Sequence, residues 1–121
     1  MARWLFFGIS MAIAGISCST MGLVDLKLAA SQSEAWKSSV LATIGGANVK
    51  VMRMDGSPYP DESHEYPEGL LVVDGHLNLT IGPDTITIRA GEIFIVPIGV
   101  AHAVAPGSTG TLVIFDAEAR S

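Results

Sequence analysis

From residue 40 onward the chain is a succession of short apolar runs, each cut by Gly, Pro or Asp. "ANVKVMRM" ends at "DGSP", "GLLVV" at "DG", "HLNLTI" at "GPD", "TITI" at "RAG", "IFIV" at "PIG" and "AHAV" at "APG", and "TLVIF" closes the series. Runs of Val, Ile, Leu and Thr at such short, regular spacing leave no room for long helices and point to an all-β sandwich or barrel. Alternation along "HLNLTI" puts Leu77, Leu79 and Ile81 on one face and His76, Asn78 and Thr80 on the other, so His76 is expected to point away from the core.

A chain of 121 residues suffices for one domain with a genuine apolar core. The formal charge is −5 and the seven Lys and Arg are scattered, which argues against nucleic acid or an anionic membrane surface as a partner of the domain. A lone cysteine, Cys18, excludes an internal disulfide framework and a multi-Cys zinc cluster.

The first 20 residues, "MARWLFFGISMAIAGISCST", differ from the rest: one charge, Arg3, an apolar run from Trp4 to Ile16, then small polar residues. That order fits a secretory signal, and the run is short for a membrane span. Met21 opens "MGLVDLKLAA" like a natural start, so residues 1–21 read either as a signal or as an extra leader, with the domain at 22–121. Export follows from the first reading and a cytoplasmic location from the second. Between Asp25 and Ser39, "SQSE" has the form of a capping box with Ser31 as cap and Glu34 reaching back; a short helix or an irregular arm is expected.

The chemistry-bearing residues fall into two groups. Glu62, His64, Glu68 and Gly75 follow one another at spacings x1, x3 and x6, and "GEIFIVPIGVAH" reads Gly91-x5-Pro97-x-Gly99-x2-His102. Here the sequence resembles the cupin superfamily, whose two motifs are G-x5-H-x-H-x3-4-E-x6-G and G-x5-P-x-G-x2-H-x3-N. The second motif matches through His102, with Pro106 in place of its final Asn. The first matches in His64, Glu68 and Gly75, but Glu62 stands where the first histidine belongs, with Gly56 six residues before it. The lead-in with its N-terminal arm and Trp36 looks like that of small cupins of the mannose-6-phosphate isomerase-like group.

The resemblance implies a double-stranded β-helix, or jelly-roll, barrel of six to eight strands with a conical pocket, formed mainly by residues 40–116. It also implies a divalent metal held by His64, Glu68 and His102, with Glu62 as a fourth ligand or, if outside the coordination sphere, as a catalytic base. Imidazole plus carboxylate suits Mn, Fe, Ni or Zn, and a second carboxylate favours Mn or Fe. Outside the motifs, His102 would read as a polar residue at a strand end, and Glu68 as a solvated acid. Tyr59, Tyr66 and His76 are expected to pack or face solvent. Two functions are open: a metal-dependent enzyme (isomerase, lyase or dioxygenase type) acting on a small polar molecule, or a non-catalytic binding or sensor module with a degenerate site. So small a barrel leaves strand edges to cover, and a homodimer is expected.

Overall fold

The structure, a computed structural model, describes residues 22–117. The leader read at residues 1–21, with Cys18, lies outside the described residues. Helix α1 (Leu26–Ser31) is followed by eight strands: β1 (Ser39–Ile44), β2 (Ala47–Asp55), β3 (Tyr59–Glu62), β4 (Glu68–Ile81), β5 (Asp84–Arg89), β6 (Ile93–Val96), β7 (His102–Val104) and β8 (Thr109–Asp116). They form one curled antiparallel sheet in the order β1-β2-β8-β4-β7-β3, with β5 and β6 also paired to β4. The all-β expectation and the strand number both hold.

Strand alternation sorts the side chains between two layers. Met54, Leu70, Val72, Leu77, Leu79, Ile88, Val96, Leu112 and Ile114 fill the interior of the curl. Val51 and Val113, one residue out of phase with Met52, Met54, Leu112 and Ile114, face outward and are covered by Ala30 of α1. Among the described residues no helix is long and apolar enough to cross a membrane.

Two local expectations are corrected. Ser31 does not start a helix. It ends one: Asp25 is the N-cap, its carboxylate accepting the Leu28 N–H at 3.1 Å, while the Ser31 hydroxyl donates back to the Leu28 carbonyl at 2.6 Å. The residues that α1 packs on the sheet, Leu26, Ala29 and Ala30, lie upstream of Ser31, so burial sets the helix there.

The "DG" at 74–75 is not a turn either, and "GLLVV" and "HLNLTI" belong to the single 14-residue strand β4. Gly75 pairs with Gly110 of β8 beyond a register shift at Val72/Asp74. Both glycines have positive φ, and a Cβ on Gly75 would lie 2.0 Å from the Thr109 carbonyl oxygen. The pair thus lets two backbones approach more closely than any side chain allows, and the kink lets β4 serve β6 and β8 with its first half and β5 and β7 with its second. Beyond the kink, Leu77 and Leu79 are fully buried.

Candidate metal centre

Four segments deliver the polar residues to one end of the curl. Glu62 ends β3 and is paired with His102, the first residue of β7. Glu68 opens β4. His64 lies in the loop between β3 and β4, and its carbonyl accepts the Gly99 N–H at 2.8 Å. The "PIG" turn that delivers His102 therefore also anchors the backbone of His64.

The side chains converge. His102 Nε2 is 3.1 Å from Glu68 Oε1, and His64 Nε2 is 3.7 Å from the same oxygen and 3.2 Å from Glu62 Oε1. Ligand atoms of Glu62, His64 and His102 all lie within 4.8 Å of one another. The structure thus brings together all four residues singled out in the sequence. His76 is not among the residues lining the cavity above them, in keeping with the expected alternation.

The hydrogen bonds specify what this group lacks. His102 Nδ1 is 2.9 Å from the Val100 carbonyl. A carbonyl only accepts, so Nδ1 carries the proton and, in the neutral ring, Nε2 presents a lone pair toward the Glu68 carboxyl. His64 Nε2 is buried and has no hydrogen-bond partner. The Nε2 atoms of the two rings lie about 3–4 Å from carboxylate oxygens, Glu68 near both rings and Glu62 near His64, a spacing expected of atoms sharing an ion at bond lengths of roughly 2.0–2.2 Å. The backbone carbonyl behind His102 Nδ1 is the usual outer partner of a metal-ligating histidine. The donor set therefore fits a divalent cation.

Burial pushes the Glu68 carboxyl above its ordinary range. Positive charge on His64 and His102 opposes that shift, and the Glu62 carboxylate reinforces it. A cation would favour the ionised form in the same way as the charged rings, more strongly.

The cavity over the group has a volume of about 270 Å³. Its wall includes residues to which the sequence reading gave no such place. Tyr59 and Tyr66, expected to pack or face solvent, both line it. Tyr66 stacks on His64 with ring centroids 4.9 Å apart and planes 9° apart. Trp36 adds a second aromatic wall beside Tyr59, its indole N–H donating to Asp55 and Ser57 at 2.7 and 2.9 Å. Lys50 also faces inward, paired with Asp116 at 2.9 Å. Alternation in "ANVKVMRM" carried a signal for Lys50, since it shares a face with Asn48, Met52 and Met54; nothing in the local sequence announced the tyrosines.

The comparisons with known proteins agree with this fold. The cupin domain family model matches residues 50–118. Among solved structures, a cupin-2 domain protein from Shewanella frigidimarina superposes with a TM-score of 0.71 at 23% identity, covering 81% of this chain and 95% of that one. A Neisseria meningitidis protein gives 0.67 at 23% identity, covering 78% and 97%. A Ralstonia eutropha protein provisionally described as a mannose-6-phosphate isomerase gives 0.60 at 19% identity, covering 69% and 84%. No match was found among curated proteins.

Proposed function

The chain belongs to the cupin family, and on that premise we propose that its barrel binds one divalent metal ion through Glu62, His64, Glu68 and His102 and presents it to a small polar molecule. The observation that carries this reading is the buried His64 Nε2, which has no hydrogen-bond partner yet lies 3.2 and 3.7 Å from the carboxylates of Glu62 and Glu68, with His102 in the same group. Two carboxylates with two imidazoles favour Mn or Fe over Zn or Ni. Bound there, such an ion would supply a Lewis acid to a ligand oxygen.

This chain's own residues do the rest. Glu68 and His102 are buried, with Leu70, Leu77, Leu79 and Leu112 lining the same cavity. Glu62, whose side chain is 37% exposed, is the most accessible of the four, and were it to lie outside the coordination sphere it would be the group placed to accept a proton from a bound ligand. Isomerase, lyase and dioxygenase chemistry are all compatible with that arrangement. The alternative, a binding module without turnover, is separated by metal analysis: one Mn or Fe per chain after reconstitution supports the proposal, and absence of Mn, Fe, Ni and Zn alike overturns it.

A second copy of the chain is proposed as the protein partner. Ile93 and Ile95 of β6 are about half exposed, as is Ile98 just beyond it, and among the described residues β6 is paired only with β4. An apolar strand with an open edge is a surface that association covers.

A further inference from the structure

The lysine inside the barrel is the feature that the metal centre does not account for. Lys50 is on the cavity-facing row of β2, its side chain 12% exposed, with Nζ 2.9 Å from Asp116 Oδ2. Asn48, on the same row, donates to Asp116 Oδ1 at 3.1 Å. Asp116 in turn is the register partner of Glu68 across β8 and β4, so this polar group lies one strand spacing, roughly 4.8 Å, from a proposed metal ligand. As packing it is poor value, because two charges removed from water gain no more than well-packed apolar residues of the same volume. Both members line the same cavity as His64 and His102.

We infer that the ligand of this cavity is a neutral, hydroxyl-bearing small molecule, such as a short polyol or an unphosphorylated sugar, one hydroxyl of which is held by the Lys50–Asp116 pair. The inference rests on the proposed function for the ligand's second attachment, at the metal. Charge carries the rest. Among the described residues lining the cavity, Glu62, Glu68 and Asp116 are opposed by one lysine and no arginine. Three carboxylates against one ammonium leave two negative charges, which a divalent ion cancels. A neutral ligand keeps that balance, whereas a phosphate or second carboxylate would enter beside Asp116 and Glu68 with no guanidinium fork to receive it. A hydroxyl both donates and accepts, and the pair offers it a carboxylate to donate to and an ammonium to accept from without separating the two. The fixed faces of Trp36 and Tyr59 give the carbon side of such a ligand an apolar surface. The phosphorylated substrate suggested by the Ralstonia relative's description is the class that this charge pattern disfavours.

The test is calorimetric titration of the full, metal-loaded chain with two matched pairs, glycerol against glycerol 3-phosphate and mannose against mannose 6-phosphate. At least one neutral member is expected to bind, and to bind at least about tenfold more tightly than its phosphate ester. Lys50→Met alone leaves Asp116 buried without its cation and is expected to fold poorly, so the decisive variant is Lys50→Met with Asp116→Leu, which removes the pair together. That double variant is expected to keep the parent's metal content and to lose at least about tenfold in affinity for the neutral ligand. The same titrations after EDTA treatment separate this inference from the metal reading: the metal-free cavity is more negative still, so the preference against the esters persists even where metal analysis fails. An ester that binds as tightly as its neutral partner, no binding by either neutral compound, or a folded double variant with unchanged affinity would each overturn the inference.

Discussion

Glu62 and His102 stand directly opposite each other in the β3–β7 ladder, so the residue that departs from the family's first motif shares a strand pair with the histidine of the second. The two motifs, 40 positions apart at these residues in the sequence, are thus a single side-by-side arrangement in the fold. A substitution at position 62 is therefore made beside the histidine of the second motif.

The three histidines are expected to separate cleanly. His64→Ala and His102→Ala each remove a converging nitrogen, and metal affinity is expected to fall more than about 100-fold, beyond the loss typical of an outer partner. His76→Ala, in the middle of β4 and away from the cavity, is expected to leave metal content unchanged. Metal analysis of the purified proteins, with circular dichroism as the folding control, checks it; equal losses from all three would show that the four residues do not form the centre.

The Gly75–Gly110 contact governs stability rather than chemistry. In Gly75→Ala the new Cβ meets backbone, which has no rotamer to yield, and the residue is also left at positive φ. A loss of about 2–4 kcal/mol is expected in urea unfolding. A Gly82→Ala control, at positive φ but with open space around the Cβ, is expected to cost about 1 kcal/mol.

Asp55 gives the fold an acid-sensitive element. Hydrogen bonds from the Ser57 side chain and backbone, and then from the Trp36 indole, lower its carboxyl from 3.8 to about 2. A folded value below the unfolded one means that its contribution is present above the unfolded value and is lost as pH falls through about 4 to about 2. Thermal unfolding followed by circular dichroism is expected to show a shallower fall in midpoint over that window for Asp55→Asn than for the parent; superimposable pH profiles would remove Asp55 from the account.

How far the sequence disclosed all this depended on whether the signal was local. Short runs of Val, Ile, Leu and Thr cut by turn residues made "HLNLTI", "TITI" and "IFIV" legible as strands, and period-two alternation within "HLNLTI" placed Leu77 and Leu79 in the core. "DG" misled, because the same dipeptide that favours a hairpin turn here serves a close backbone approach whose partner, Gly110, is 35 residues on. Strand β3, "YPDE", was unreadable as a strand, since Pro60 and two acids suit only an edge, and β3 pairs only with β7. At the site, motif spacing singled out Glu62, His64, Glu68 and His102, whose side chains lie near one another in the fold. Lys50 was visible in strand alternation, but its partner Asp116 is brought to it only by the β2–β8 register. The stacking of Tyr66 on His64 depends on the path of an irregular loop, for which no periodicity exists.

The exposed β6 surface is expected to be covered by a second chain. Light scattering should report a dimer, and Ile95→Lys, which places a charge on an edge strand, should shift it to monomer without lowering the unfolding midpoint by more than about 0.5 kcal/mol equivalent, the usual cost of a surface change. A monodisperse monomer of the parent at high concentration would rule the dimer out.

Glu62 allows the sharpest test, since its two proposed roles predict opposite outcomes for the same variants. As a ligand it supplies a hard, charged oxygen; Glu62→His would exchange this for a neutral nitrogen and is expected to move preference from Mn or Fe toward Ni, Cu or Zn, whose affinity for imidazole is greater. Glu62→Gln would keep the size, remove the charge and weaken binding at the same position. As a base beside the ion, Glu62 would leave metal content untouched in Glu62→Gln while turnover of any substrate is abolished, because an amide does not accept the proton. The 3.2 Å approach of Glu62 Oε1 to His64 Nε2, which has no hydrogen-bond partner, favours the ligand role, and the side chain's exposure is what a proton-accepting role requires. Metal analysis of parent, Glu62→His and Glu62→Gln side by side is therefore expected to show lowered Mn or Fe content in both variants; unchanged content and unchanged selectivity would exclude Glu62 from the coordination sphere and leave His64, Glu68 and His102 to hold the ion.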